Sequence, residues 1–244
     1  MAGLCWIAVT LALFLSTENT LAVVDQARLA TIVDGIRREY GVQGMFSLAV
    51  RISDINNQNH DKILKEVFTS DPGNDVKNTI NNNQVYIGNR VVAAKPLKRP
   101  KGRTDHAESR VVDNLFNNRN NNDFLLFYVY ASPCVEKCSS ATHHDIMSIL
   151  QRINTIRQWA NYAVVFSKIF TPRSGEVINT EQQRREALQR LGNSVGLNNI
   201  YRCDNPPGGQ MKCTNCSKGV GKKGYCVYDS SQTSSSSNQP SFSG

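Results

Sequence analysis

The stretch "DFLLFYVYASPCVEKC", residues 123–138, sets two patterns end to end. Its first nine residues form an unbroken apolar and aromatic run, which a strand needs when helices cover both of its faces. A strand with one wet face would alternate apolar and polar residues instead. Ser132 then stands as an N-cap and Pro133 as a first helical residue, so the spacing predicts a helix opening at Cys134. On that helix Cys134 and Cys138, four positions apart, share one face. A buried strand running straight into a helix is the unit from which α/β sheets are built.

Outward from this stretch the alternation of strand and helix repeats. Between Val24 and Tyr40, apolar Leu29, Ile32, Val33, Ile36 and Tyr40 recur at helical spacing, and Gly41 stops the helix. Phe46, Leu48, Val50 and Ile52 alternate with smaller or polar residues, which predicts a strand over 44–53. Residues 54–83, rich in Asn, Asp, Gly and Pro, read as loop with one short helix near Lys62 to Phe68. Val85 to Ala93 is a second strand. A helix with Thr104 or Asp105 as N-cap follows and carries Val111, Val112, Leu115 and Phe116 on one side. Beyond Cys138, Ile146, Ile149, Leu150 and Ile153 form another helical stripe, and residues 162–170 a strand. Thr180 and Gln183 form a capping box whose helix ends at Gly192, and residues 196–203 a last strand. The fold class is therefore α/β: a mixed five-stranded sheet flanked by helices on both faces, followed by a Cys-rich C-terminal extension.

The ends of the chain differ in composition from its middle. Residues 4–15 are an apolar block without charge, followed by polar residues and small Ala22, which reads as a signal peptide over 1–22. The block is shorter than the roughly 20 apolar residues that span a bilayer, so no membrane span is expected once the signal is removed. The main domain covers 23–202, a Cys-rich extension 203–228, and a Ser-rich disordered tail 229–244. The formal net charge is +8, and loss of the leader removes Glu18 but no Lys or Arg, so the mature protein is basic and extracellular. Cys5 leaves with the leader, and six of the seven cysteines remain.

Chemistry concentrates on both sides of the buried strand. His106 and Glu108 lie at one helix start, Cys134 and Cys138 at the next. One imidazole and two thiolates hold zinc with a fourth position left for water, whose pKa the metal lowers toward neutrality. Glu108, two positions from His106, points elsewhere on its helix and suits a proton carrier. The pattern His-x-Glu followed by Pro-Cys-x-x-Cys marks zinc-dependent nucleobase deaminases. His106-Ala107-Glu108, 23 intervening residues, then Ser132-Pro133-Cys134 and Cys138, resembles the AID/APOBEC-like deaminases, and with the leader it is most similar to the secreted novel AID/APOBEC-like deaminases. That resemblance implies a cytidine deaminase-like fold, bound Zn2+, hydrolytic deamination of cytosine to uracil, and a role in immunity. Relatives often carry tryptophan where this chain has Ala131, and Tyr130 or Tyr128 is the candidate substitute against the base.

Other features leave alternatives open. Lys95, Lys98, Arg99, Lys101 and Arg103 precede His106 and read either as a solvated face or as phosphate contacts for single-stranded DNA or RNA. The substrate is then a single strand; a free cytosine nucleoside or an adenine-type nucleoside is the second reading. A third is a non-catalytic, basic, secreted binder of nucleic acid or another polyanion, with structural zinc. Cys203, Cys213, Cys216 and Cys226 form either a zinc knuckle or two disulfides in one of three pairings, and export favours disulfides. Asn215-Cys216-Ser217 is a rare variant of the glycosylation sequon, whose use a cross-linked Cys216 would hinder.

Overall fold

The computed structural model describes residues 24–100, 104–135, 139, 149–171, 179–206, 208–219 and 224–228. The expected leader, the Ser-rich tail, Lys101, Arg103 and Cys138 lie outside them. Helix α1 (Gln26–Tyr40) opens on Asp25, whose carboxylate accepts the Arg28 N–H at 2.8 Å, and buries its predicted stripe of Leu29, Ile32, Val33, Ile36 and Tyr40. Strand β1 (Ser47–Ser53) follows.

Residues 54–83 correct the sequence reading, because two helices stand where mostly loop was expected. Helix α2 (His60–Ser70) is capped by Asn59, whose side chain accepts the Asp61 N–H at 2.8 Å, and α3 (Gly73–Asn81) starts after Pro72. Their turns are polar outside, but Ile63 and Val67, then Val76 and Ile80, sit four apart and bury against α1 and the sheet. Tertiary packing of one narrow stripe stabilises helices whose composition alone does not favour them.

The second predicted strand is broken into β2 (Tyr86–Ile87) and β3 (Val91–Ala94), paired antiparallel across a tight turn. Fully buried Asp71 holds that turn: its carboxylate accepts Asn89 N–H at 3.0 Å, Arg90 N–H at 2.8 Å and the Tyr86 hydroxyl at 3.0 Å. Part of the basic loop is a two-stranded ribbon of β4 (Leu97–Lys98) and β5 (Thr104–Asp105). Thr104 and Asp105 therefore do not cap the next helix. Helix α4 (Ala107–Val112) begins after His106 and ends before Leu115 and Phe116, since Phe116 turns away to meet Trp159 edge-on at 6.0 Å.

Strand β6 (Asp123–Ala131) is buried along nearly its whole length, as its unbroken apolar run requires. After it come α5 (Ile149–Arg152), continued by a 3-10 segment to Gln158, then β7 (Asn161–Lys168), α6 (Glu181–Val195), β8 (Ile200–Asp204) and β9 (Lys212–Asn215). Both halves of the Thr180–Gln183 capping box form, but α6 runs past Gly192 to Gly196. Gly196 adopts a positive φ of 76° that ends the helix, whereas Gly192 admits Leu197, which a Cβ there would meet at 3.1 Å.

Among the described residues the sheet has seven strands, ordered β2-β3-β1-β6-β7-β8-β9. The five predicted strands correspond to its contiguous middle; edge strand β2 was merged with β3 in the second predicted strand, and edge strand β9 lies in the Cys-rich extension, where no strand was expected. β6, β7 and β8 run parallel, and β1 is antiparallel to both β3 and β6. One face packs against α1, α2 and α3, the other against α4, α5 and α6. The C-terminal cysteines form two disulfides, Cys203–Cys213 across β8 and β9 and Cys216–Cys226 beyond them, so none of the four serves a zinc knuckle.

Candidate active site

Because β3 and β6 are both antiparallel to β1, their C-terminal ends reach the same edge of the sheet. The chain leaving β3 returns through β5 to His106, and the chain leaving β6 continues into Ser132, Pro133 and Cys134. His106 is the N-cap of α4, with extended backbone at φ −69° and ψ 148°. His106, Glu108 and Pro133 line one cavity of about 450 Å³ including its open mouth. Its other described walls are apolar: Phe127 and Val129 from β6, Ile149 and Ile153 after the motif, Leu191 from α6. Cys134 is buried in the same apolar cluster as these walls. Few polar groups converge there among apolar walls, the lining composition of a small-molecule site.

Glu108 is only half-buried by surface, because its accessible side faces the cavity. Removal from bulk water nevertheless pushes its carboxyl up to about 7, against a smaller opposing effect of its own backbone N–H. A carboxyl near that value gives and takes protons at neutral pH.

The donor set fits zinc. An imidazole lining the cavity and a thiol buried in the apolar cluster that walls it are of the borderline-soft donor types, in the dry surroundings, that Zn2+ takes. Among the described residues no three His, Cys, Asp or Glu side chains cluster as a metal site; the third expected ligand, Cys138, is outside them. Ser139, next in sequence, returns to this place: its hydroxyl donates to the carbonyls of Cys134 at 3.1 Å and Val135 at 3.2 Å.

Ser132 does something other than cap a helix at Cys134. Residues 132–134 are not helical, and the rest of the helical stretch expected after Cys134, residues 136–138 and 140–148 including Ile146, lies outside the described residues. The Ser132 N–H donates to the Lys168 carbonyl at 2.8 Å, and its hydroxyl accepts the Phe170 N–H at 2.9 Å. The turn carrying Pro133 and Cys134 is thus latched to the exit of β7. Arg190 of α6 adds a second tie, donating to the Ser139 carbonyl. Neither tie has a sequence signature, since each joins residues 36 or more apart.

A family model described as SNAD1, Secreted Novel AID/APOBEC-like Deaminase 1, matches residues 26–230. The chain belongs to that family. No curated protein and no solved structure matches it. The family description says secreted, and two disulfides are consistent with an oxidising compartment. Among the described residues no helix is long and apolar enough to cross a membrane.

In this SNAD1-family chain the remaining candidate residues divide. Arg99 pairs with Asp105 at 2.6 Å, immediately before His106, while Lys98 is exposed. Lys95 donates to Asn81 at 3.3 Å, and its carbonyl accepts from Arg110 at 2.6 Å. Arg110, which the sequence reading passed over, also donates to the Asn83 carbonyl at 2.6 Å and so fastens the basic loop to α4. No local spacing marks it, because its partners lie 15 and 27 residues away. Tyr130 is not brought to the cavity: it packs on Phe46, centroids 5.8 Å apart, on the sheet face that α1 covers.

Proposed function

We propose that this chain is a secreted, zinc-dependent cytosine deaminase that converts cytosine to uracil in single-stranded DNA or RNA. The observation that carries this reading is the cavity in which His106 and Glu108 face apolar walls beside buried Cys134. His106, Cys134 and Cys138 would hold the metal. Bound there, zinc supplies Lewis-acid activation of a water, making hydroxide available at neutral pH.

The chain's own residues account for the rest. A Glu108 oxygen takes one proton of the attacking water and delivers it to N3 of the ring, then takes the second from the new C4 hydroxyl and delivers it to the departing amino group. The C4–N4 bond breaks, C4 keeps the new oxygen, and one water is consumed for each ammonia released. Phe127, Val129 and Ile153 exclude bulk water and pack against the base. Lys95, Lys98, Arg99, Lys101 and Arg103, on the segment entering α4, would contact phosphates of the strand at the mouth. Tyr130 would act only at the strand end, outside the cavity.

Metal analysis of the secreted protein, run with deamination assays on single-stranded DNA, RNA and cytidine, tests the reading. Glu108→Gln should retain zinc and lose at least about 100-fold in ammonia release. A wild-type protein without zinc overturns the reading, as does a Glu108→Gln variant with full activity. Zinc without deamination of any of the three would instead mark a binding protein.

A further inference from the structure

Asn215-Cys216-Ser217, the only Asn-x-Ser/Thr triplet in the chain, is an ordinary glycosylation sequon rather than a rare variant of one, and it is consumed by the fold. Asn215 ends β9 and is 5% exposed. Its Nδ2 donates to the Asn198 carbonyl at 2.6 Å, and its Oδ1 accepts from the Ser217 N–H at 2.9 Å and the Ser217 hydroxyl at 2.6 Å. Its backbone N–H donates to the Gln26 side chain of α1 at 3.3 Å, and Tyr201 stands opposite it on β8. Cys216, the middle residue of the triplet, is fully buried and bonded to Cys226.

A sugar on Nδ2 needs open space where the Asn198 backbone sits, so modification and native packing exclude each other. A chain whose β9 has not yet docked presents the same triplet to solvent, in the compartment where asparagine-linked glycans are added. We propose that Asn215 is a glycan acceptor only in chains that have not closed the Cys216–Cys226 disulfide, and that the native secreted protein carries no glycan there. In the transfer, Nδ2 attacks the anomeric carbon of a lipid-linked oligosaccharide pyrophosphate. The carbon–nitrogen bond forms, the carbon–oxygen bond to pyrophosphate breaks, one amide proton is lost, and the lipid pyrophosphate leaves. The modified chain cannot then seat Asn215 against Asn198, so the glycan marks and perpetuates the undocked state.

The test is expression of the full chain in cells with a glycosylating secretory pathway, and translation into glycosylating microsomes with and without a thiol reductant. Wild type should be unmoved by peptide N-glycosidase when oxidised and lose one glycan's mass when synthesised under reductant. Cys226→Ser should carry that glycan without reductant, and Cys226→Ser with Asn215→Gln should lack it. Stoichiometric glycan on wild type with both disulfides closed overturns the proposal. So does its absence from Cys226→Ser and from the reduced wild type. The readout is independent of zinc and of deamination.

Discussion

Replacing Ser132 with alanine separates two ways of holding the turn that carries Pro133 and Cys134. The last registered pair of β6 and β7 is Ala131 opposite Lys168, and Ser132 prolongs that pairing by one donor and one acceptor. Alanine keeps the donor, its backbone N–H, and deletes the acceptor of the Phe170 N–H. A neutral hydrogen bond contributes about 0.5–1.5 kcal/mol net, and a stranded buried donor costs about 1–3 kcal/mol. The site is half-buried, so water partly replaces the lost hydroxyl, and about 1–2 kcal/mol is the expected loss. That corresponds to a fall of roughly 2–8 °C in Tm for a domain of this size. It also corresponds to roughly 5–30-fold faster exchange of the Phe170 amide if that amide exchanges by local opening. Amide hydrogen exchange alongside thermal unfolding measures both, with Ser132→Thr as the variant that keeps the oxygen. Unchanged exchange at Phe170, with protection lost instead in the residues after Cys134, would refute the latch and restore the helix cap.

Further consequences concern the scaffold. Asp71→Ala strands the Asn89 and Arg90 N–H groups and the Tyr86 hydroxyl, so denaturant unfolding should show a loss of at least about 3 kcal/mol; a loss below about 1 kcal/mol would contradict the role of that carboxylate. Peptide mapping of unreduced protein should recover Cys203 with Cys213 and Cys216 with Cys226, and removing either bond should cost about 2–3 kcal/mol; any crossed pairing contradicts the β8–β9 register. Burial pushes the Tyr128 hydroxyl from its ordinary value of 10.0 up to about 12. The folded state therefore keeps a proton that the unfolded chain releases, so this contribution is intact below pH 10 and is lost between about pH 10 and 12. Stability and phenolate absorbance followed together across that window check it, and a Tyr128→Phe variant should lose less stability there than wild type.

Much of the scaffold was legible because burial leaves a local trace. The run from Phe124 to Val129 could be satisfied only by a strand covered on both faces, and the α1 stripe only by a helix on a core. The trace is weak in α2 and α3, where two buried branched side chains per helix stand among Asn, Asp and Lys, and it says nothing about Ser132, whose hydroxyl takes a partner 38 residues away. The alternation of β6 puts Val129 and Tyr130 on opposite faces, but which face holds the cavity depends on where α4 packs.

By itself, then, the sequence determined the α/β class, the central strands, and the residue types His106, Glu108 and Cys134 that converge at one edge. Tertiary structure alone decided the face on which they meet, the latch from Ser132 to Phe170, and the pairing of four cysteines. Periodicity records whether a side chain is buried, because that depends on spacing within one element. Which partner it is buried against depends on register and crossover, as when β9 sets Cys213 opposite Cys203 and in the same step closes over Asn215.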